Sequence, residues 1–308
     1  MSTRGSDPAF AIGVDLGGTK IEAIVLDSHG RERWRERVPS PRGDYDATLQ
    51  AIAALVARAR AAVHGAPCSI GFGTPGSVNA RGVMKNCNST QLNGRPLPRD
   101  LEALLGQPVR VANDANCLAL SEAADGAGAG APVVFAAILG TGVGAGIAIH
   151  GRPLEGPNAL AGEWGHNPLP WATPDDPRWP CWCGQHGCIE TLVCGPGLAR
   201  DHAQRNGGAL TPQQIVAAAA SGDAACEATL ARWESRLARA LAHVINLLDP
   251  DVIVLGGGLS RIERLYANVP ALLPRWVFAG GVHDEPLRTR IVASAHGDSS
   301  GVRGAAWL

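Results

Sequence analysis

The sequence has almost no net charge, with 27 Lys and Arg set against 28 Asp and Glu. Without an excess of either sign there is no long-range pull toward nucleic acid or an anionic membrane, so any anionic ligand must be held by local groups. No run of 18 or more apolar residues occurs, and Met1 to Phe10 has no apolar signal core. The expectation is therefore a cytoplasmic chain with no membrane span. No G-x-x-x-x-G-K-[ST] is present, which removes the P-loop class of nucleotide site. In a reducing compartment disulfides are not expected, so the eight cysteines read as metal ligands or small buried hydrophobes. These absences leave a globular protein that handles small molecules.

At 308 residues the chain exceeds the roughly 250 to 300 at which one core stops growing, so two lobes around a cleft are expected. Residues 10–14 read as an apolar strand, followed by the turn Asp15-Leu16-Gly17-Gly18-Thr19-Lys20 and a second strand over 21–26. The same order recurs at 133–139, Gly140-Thr141-Gly142-Val143-Gly144 and 145–149, and both units close on His-Gly-Arg. That repetition predicts a duplicated βαβ module. Tyr45, Leu49, Ile52, Leu55 and Val56 keep helical spacing before a strand over 69–73. Leu230, Trp233, Leu237, Leu241, Val244 and Leu248 stripe a long helix that Asp249-Pro250 stops, ahead of a strand over 252–255 and Gly256-Gly257-Gly258. Alternating helices and strands imply an α/β fold with ligands beyond the strand carboxyl ends, where the glycine clusters fall. Residues 168–180 read as loop.

Each glycine cluster alone could be a tight turn, but three of them after apolar strands suit backbone N–H groups approaching phosphate. Gly71-Phe72-Gly73-Thr74-Pro75-Gly76 matches G-x-G-x-x-G, yet residues 77–82 read as a hairpin rather than the helix a dinucleotide site needs. Asp114, after a strand over 109–112, sits where a site is expected; its plainer role is to cap the helix over 115–123. His166 and, after fourteen intervening residues, Cys181, Cys183 and Cys188 offer an imidazole and three thiolates. Such a set closes a tetrahedral shell around structural Zn²⁺. The alternative is buried free cysteines beside a chance histidine. His186 is a spare imidazole expected at the surface. Trp164, Trp171, Trp179 and Trp182 surround this loop and read as packing residues.

The Asp15–Lys20 motif resembles the first phosphate motif of the ROK family of sugar kinases and repressors, and the likeness runs from about residue 12 to 308. The resemblance implies the two-lobed actin-like, hexokinase-type (ribonuclease H-like) ATPase fold with a zinc-binding loop. A small lobe over 1–118 would be joined by a C-terminal helix over 297–308, and a large lobe would span 119–296. By the same likeness Gly17, Gly18, Thr19 and Lys20 hold ATP phosphates and Asp15 lies near Mg²⁺. Gly140, Thr141, Gly142 and Gly144 form a second phosphate loop, and Gly256, Gly257 and Gly258 line the adenosine. Asp114 becomes the general base, while Gly76, Asn88, Asn113, Glu163, His166 and Glu190 face the sugar; for either glutamate the alternative is a surface ion pair. The zinc motif matches in all four ligands.

Residues 86–94 and 162–171 resemble the fructokinase branch most, which implies ATP and a hexose as partners, attack by the 6-hydroxyl and a homodimer. An N-acetylglucosamine kinase is the runner-up. A repressor would carry a DNA-binding module ahead of the glycine motif, and only fourteen residues precede Asp15, so no nucleic-acid partner is expected.

Overall fold

The computed structural model describes residues 8–279 and 285–308. The part of the Met1 to Phe10 reading that concerns residues 1–7 lies outside the described residues. The first sheet comes from β1 (Phe10–Leu16), β2 (Lys20–Asp27), β3 (Glu32–Pro39), β4 (Cys68–Thr74) and, after the short hairpin of β5 (Ser77–Val78) and β6 (Met84–Lys85), β7 (Arg110–Asn113). The second comes from β8 (Val133–Leu139), β9 (Val143–Ile149), β10 (Arg152–Pro153), β11 (Val252–Gly256) and β12 (Arg290–Ala293). Their strand orders are β3-β2-β1-β4-β7 and β10-β9-β8-β11-β12, the same pattern twice. In the first sheet β1, β2 and β3 run antiparallel while β1, β4 and β7 are parallel. In the second β8, β11 and β12 are parallel and β10 pairs antiparallel with β9. The duplication read from the sequence is thus a repeat of sheet topology.

Nine α-helices follow in chain order among the described residues: α1 (Tyr45–Ala62), α2 (Leu97–Leu105), α3 (Asp114–Ala124), α4 (Ile189–Val193), α5 (Gly195–Asn206), α6 (Pro212–Ala220), α7 (Ala224–Leu248), α8 (Leu265–Leu272) and α9 (Ser300–Ala306). None is long and apolar enough to cross a membrane. The helical spacing seen in α1 puts Tyr45, Ile52, Leu55 and Val56 into the core against Ile12, Val14 and Phe72. Truncating a side chain as buried as Phe72 to alanine costs about 3–5 kcal/mol. Helix α7 starts on an Asp223 cap whose side chain accepts from the Cys226 N–H, and ends where Asp249 turns left-handed at φ 47°.

The chain divides into two compact units. The first holds residues up to Ala129, Gly146–Ala161 and Asp298–Leu308; the second holds Gly130–Ala145 and Gly162–Gly297. This moves 119–129 and 146–161 out of the large lobe expected over 119–296. The reason lies in α3, which continues to Ala124 packed against α9. A Cβ on Gly304 of α9 would overlap the Cys117 carbonyl of α3, so only glycine permits this approach. The Ser300 hydroxyl donates to Glu122 at 2.9 Å, and Arg303 pairs with Asp125.

Within the second unit α7 also anchors the long loop ahead of Cys181. Arg236 and Arg239, both buried, bind Asp176 at 2.9 and 2.7 Å, and Arg236 reaches Asp201 of α5 at 3.0 Å. These guanidinium partners hold the Asp176 carboxyl well below the usual range despite its burial. Removing one member would strand a buried charge, so the network fixes the loop's path more surely than it adds net stability.

Candidate active site

In the first unit β1 delivers Asp15 to the end of the sheet, directly across the β1–β2 ladder from Glu22. Between them the chain reverses so tightly that a Cβ on Gly17 would lie 2.8 Å from the Lys20 carbonyl. Gly18 and Thr19 are exposed. Lys20 does not reach freely outward: its Nζ lies 3.3 Å from Glu22, which is buried and also takes Arg35 at 2.7 Å and Arg37 at 2.8 Å. Burial pushes the Asp15 carboxyl up to about 7, reinforced by the negative charges of Asp114 and then Glu22 and only partly offset by Lys20. Asp15 and Asp114 therefore feel one another across the end of the sheet.

Asp114 opens α3, immediately after β7. The capping duty that it could have served belongs to Asn113, whose Oδ1 accepts the Ala115 N–H at 2.9 Å. The Asp114 Oδ1 accepts the same N–H at 2.8 Å. Asn113 also donates through Nδ2 to the Gly76 carbonyl at 3.5 Å, and the Thr74 hydroxyl donates to that carbonyl at 3.1 Å. Gly76 is needed for packing, because a Cβ there would lie 2.5 Å from the Cys87 Sγ. Asn88 is exposed on the loop that follows. That loop is clasped by Asn93, which accepts from the Cys87 N–H at 2.8 Å and donates to the Cys87 carbonyl at 2.9 Å.

In the second unit His166, Cys181, Cys183 and Cys188 bring one ligand atom each to within 4.8 Å of one another. The Cys181 Sγ lies 3.6 Å from His166 Nδ1, and Cys183 and Cys188 have their sulfurs 3.7 Å apart. Tetrahedral bonds of about 2.3 Å to sulfur and about 2.05 Å to nitrogen would set those separations at about 3.6 and 3.8 Å, so the four residues fit a metal ion. His186 is exposed.

The ROK family profile matches residues 11–308. The chain belongs to the ROK family. An N-acetyl-D-glucosamine kinase of Escherichia coli O9:H4 (strain HS) is 40% identical over 304 residues, spanning 96% of this chain and 98% of that protein. A ROK hexokinase from Thermus thermophilus shares the fold with a TM-score of 0.84 at 31% identity, over 97% of each chain. A ROK family glucokinase from Streptomyces griseus, in complex with glucose and AMPPNP, gives 0.74 at 30% identity, over 96% of this chain and 98% of that one.

Among the other residues singled out in this ROK chain, Glu190 joins the metal cluster to the second glycine loop. Its Oε2 accepts the Val143 N–H at 2.9 Å and its Oε1 accepts the Trp182 indole N–H at 2.8 Å. A Cβ on Gly142 would come within 2.7 Å of that carboxylate, whereas a Cβ on Gly140, Gly144 or Gly258 would meet nothing within 4 Å. Thr141 is exposed at the tip of the loop. Gly257 is demanded by the backbone, with φ 82° and the Leu139 carbonyl 2.5 Å from its Cβ position, while Gly256 closes β11. Glu163 is exposed, and its carbonyl accepts the His166 N–H at 3.2 Å. Trp164 and Trp179 are buried as packing residues, but Trp171 and Trp182 are exposed. Trp182 stands edge-on to the His166 ring, 4.9 Å between centroids, so it covers the cluster from outside.

The buried Glu22 with Arg35 and Arg37, the Asn93 clasp and the Trp182–Glu190 bond went unread in the sequence. A signal existed for Glu22 alone: a carboxylate two residues after the motif lysine, on an otherwise apolar strand, needs a cationic partner.

Proposed function

We propose that this chain is an ATP-dependent hexose kinase that phosphorylates the 6-hydroxyl of D-fructose. The observation that carries the kinase reading is the pairing of Asp15 and Asp114 at the carboxyl end of the first sheet, beside an exposed glycine turn. Phosphoryl transfer requires an acceptor hydroxyl held in line, a carboxylate to take its proton and cationic groups to offset phosphate charge. Asp114 takes the proton, with Asn113 and Asn88 on the sugar. Gly17, Gly18 and Thr19 offer N–H groups to the triphosphate, and Mg²⁺ entering with ATP neutralises its charge. The neighbouring carboxylates of Asp15 and Asp114 suit a divalent cation of this kind, a hard ion that takes oxygen ligands. In the second unit the open surroundings of Gly140, Gly144 and Gly258 support close approach by nucleotide, since no packing demands glycine there.

The His166, Cys181, Cys183 and Cys188 set is a structural zinc site, closed by four protein ligands and rich in thiolate. Zinc in turn fixes Glu163 and Glu190, the two acids beside it in sequence, as sugar-facing groups. Fructose is supported by the likeness of 86–94 and 162–171 to the fructokinase branch. N-acetylglucosamine is the second reading, favoured by the 40% identical relative named for that sugar. The chain is further inferred to act as a cytoplasmic homodimer, as the family resemblance implies.

The test is kcat/KM for fructose, mannose, glucose and N-acetylglucosamine under saturating Mg·ATP, with the product's phosphate located by NMR. Fructose in first place with phosphate on O6 is the expected result. N-acetylglucosamine in first place would overturn the acceptor and leave the mechanism standing.

A further inference from the structure

Ser89 lies between the acceptor loop and the phosphate turn. It starts the single 3₁₀ turn Thr90–Leu92, a position where a serine hydroxyl ordinarily caps, yet its side chain makes no capping bond. The Oγ is fully buried and has no hydrogen-bond partner among the described residues. It lies beside Gly18, in the exposed middle of the turn: a Cβ built on Gly18 would meet the Ser89 Oγ at 3.6 Å and, its chain neighbours aside, no other heavy atom within 4 Å. The segment that carries it cannot readily swing away. Asn93 clasps Cys87 through both ends of its amide, the Leu92 N–H bonds to the Ser89 carbonyl at 3.0 Å, and Gly76 packs against the Cys87 sulfur. A hydroxyl held in place without a partner carries a desolvation cost that a matching acceptor would remove.

We propose that Ser89 is a further nucleotide-binding residue, whose hydroxyl donates to a phosphoryl oxygen of ATP once the Gly17-Gly18-Thr19 backbone shifts to wrap the phosphates. Asn88, its neighbour, is assigned to the sugar, so one loop would then report the acceptor and the donor to each other. The proposal rests on the kinase reading above.

The experiment compares wild type, Ser89→Ala and Ser89→Thr by three readouts: melting temperature without ligand, affinity for Mg·AMPPNP by calorimetry, and KM for sugar. The alanine protein is expected to melt no lower than wild type, because it deletes a buried unpaired hydroxyl, yet to bind Mg·AMPPNP about 10-fold more weakly, the lower end for one hydrogen bond to a charged group. Its sugar KM should stay within about twofold, and threonine should restore most of the nucleotide affinity. A lower melting temperature with unchanged Mg·AMPPNP affinity would make the hydroxyl structural and overturn the proposal. A raised sugar KM with unchanged nucleotide affinity would also overturn it, by moving Ser89 to the acceptor. Wild type that fails to bind Mg·AMPPNP sinks the kinase reading as well, whereas equal binding by wild type and alanine sinks only Ser89.

Discussion

The two sheets repeat one strand order, yet the turns after their first strands are furnished differently. The β1–β2 turn carries its own acid, Asp15, and draws charge from Glu22, Lys20 and Asp114 close by. The β8–β9 turn, Gly140-Thr141-Gly142, has no ionisable residue and borrows its carboxylate from Glu190, which the metal cluster and Trp182 flank. A duplicated backbone thus carries charge of its own in one copy and, in the other, an uncharged loop bonded to a carboxylate from beside the His166, Cys181, Cys183 and Cys188 cluster. Topology supplied the two turns; side chains divided the labour.

Four substitutions probe that contrast. The largest effect belongs to Asp114→Asn, nearly isosteric but unable to take the proton: turnover should fall at least about 10²-fold while the melting temperature holds. On the metal side Cys183→Ser should abolish bound zinc by mass spectrometry and raise the sugar KM about 10-fold, the lower end for disturbing groups around a metal. Unchanged KM in a folded, zinc-free protein would show that the knuckle does not orient Glu163 and Glu190. Glu22→Gln leaves Arg37 and Lys20 without this anion and Arg35 with Glu32 alone, and urea unfolding should register a loss of about 2 kcal/mol, as expected for hydrogen bonds to a charged group. No loss would mean that this cluster is incidental to the first turn.

The smallest effect is the dependence on pH. With its carboxyl pushed up to about 7, folded Asp15 still holds a proton that the unfolded chain releases near its ordinary value of 3.8. Its contribution to stability is therefore full below the unfolded value, declines as pH rises toward 7 and is lost above it. Asparagine, uncharged throughout, escapes the decline. Asp15→Asn should match wild type near pH 4 and melt about 2–4 °C higher at pH 8. A gap of opposite sign would place a stabilising cation partner at Asp15 in the free protein.

The glycine turns and the His/Cys cluster were legible because each depends on short-range pattern: glycines at strand ends, and cysteines spaced so that two turns bring them together. β3 was not, since Glu32-Arg33-Trp34-Arg35-Glu36-Arg37 has no apolar run to mark it, and its strand character comes from pairing with β2. The grouping of α3 with the first unit is hidden for a related reason. What ties α3 to the first unit is α9, nearly two hundred residues later, through the Gly304 contact and the Ser300–Glu122 bond. The exposed position of Trp182 was likewise hidden, because an indole N–H that serves Glu190 has the same composition as one packed in a core. Local signals survive in sequence; partners distant along the chain do not.

The most direct test is ADP release from Mg·ATP, with and without fructose, by folded wild-type protein alongside Asp114→Asn. Sugar-dependent release by wild type, and none above background from the mutant, is the expected result. Equal release from both proteins, or none from zinc-loaded wild type with any hexose, would contradict the kinase mechanism.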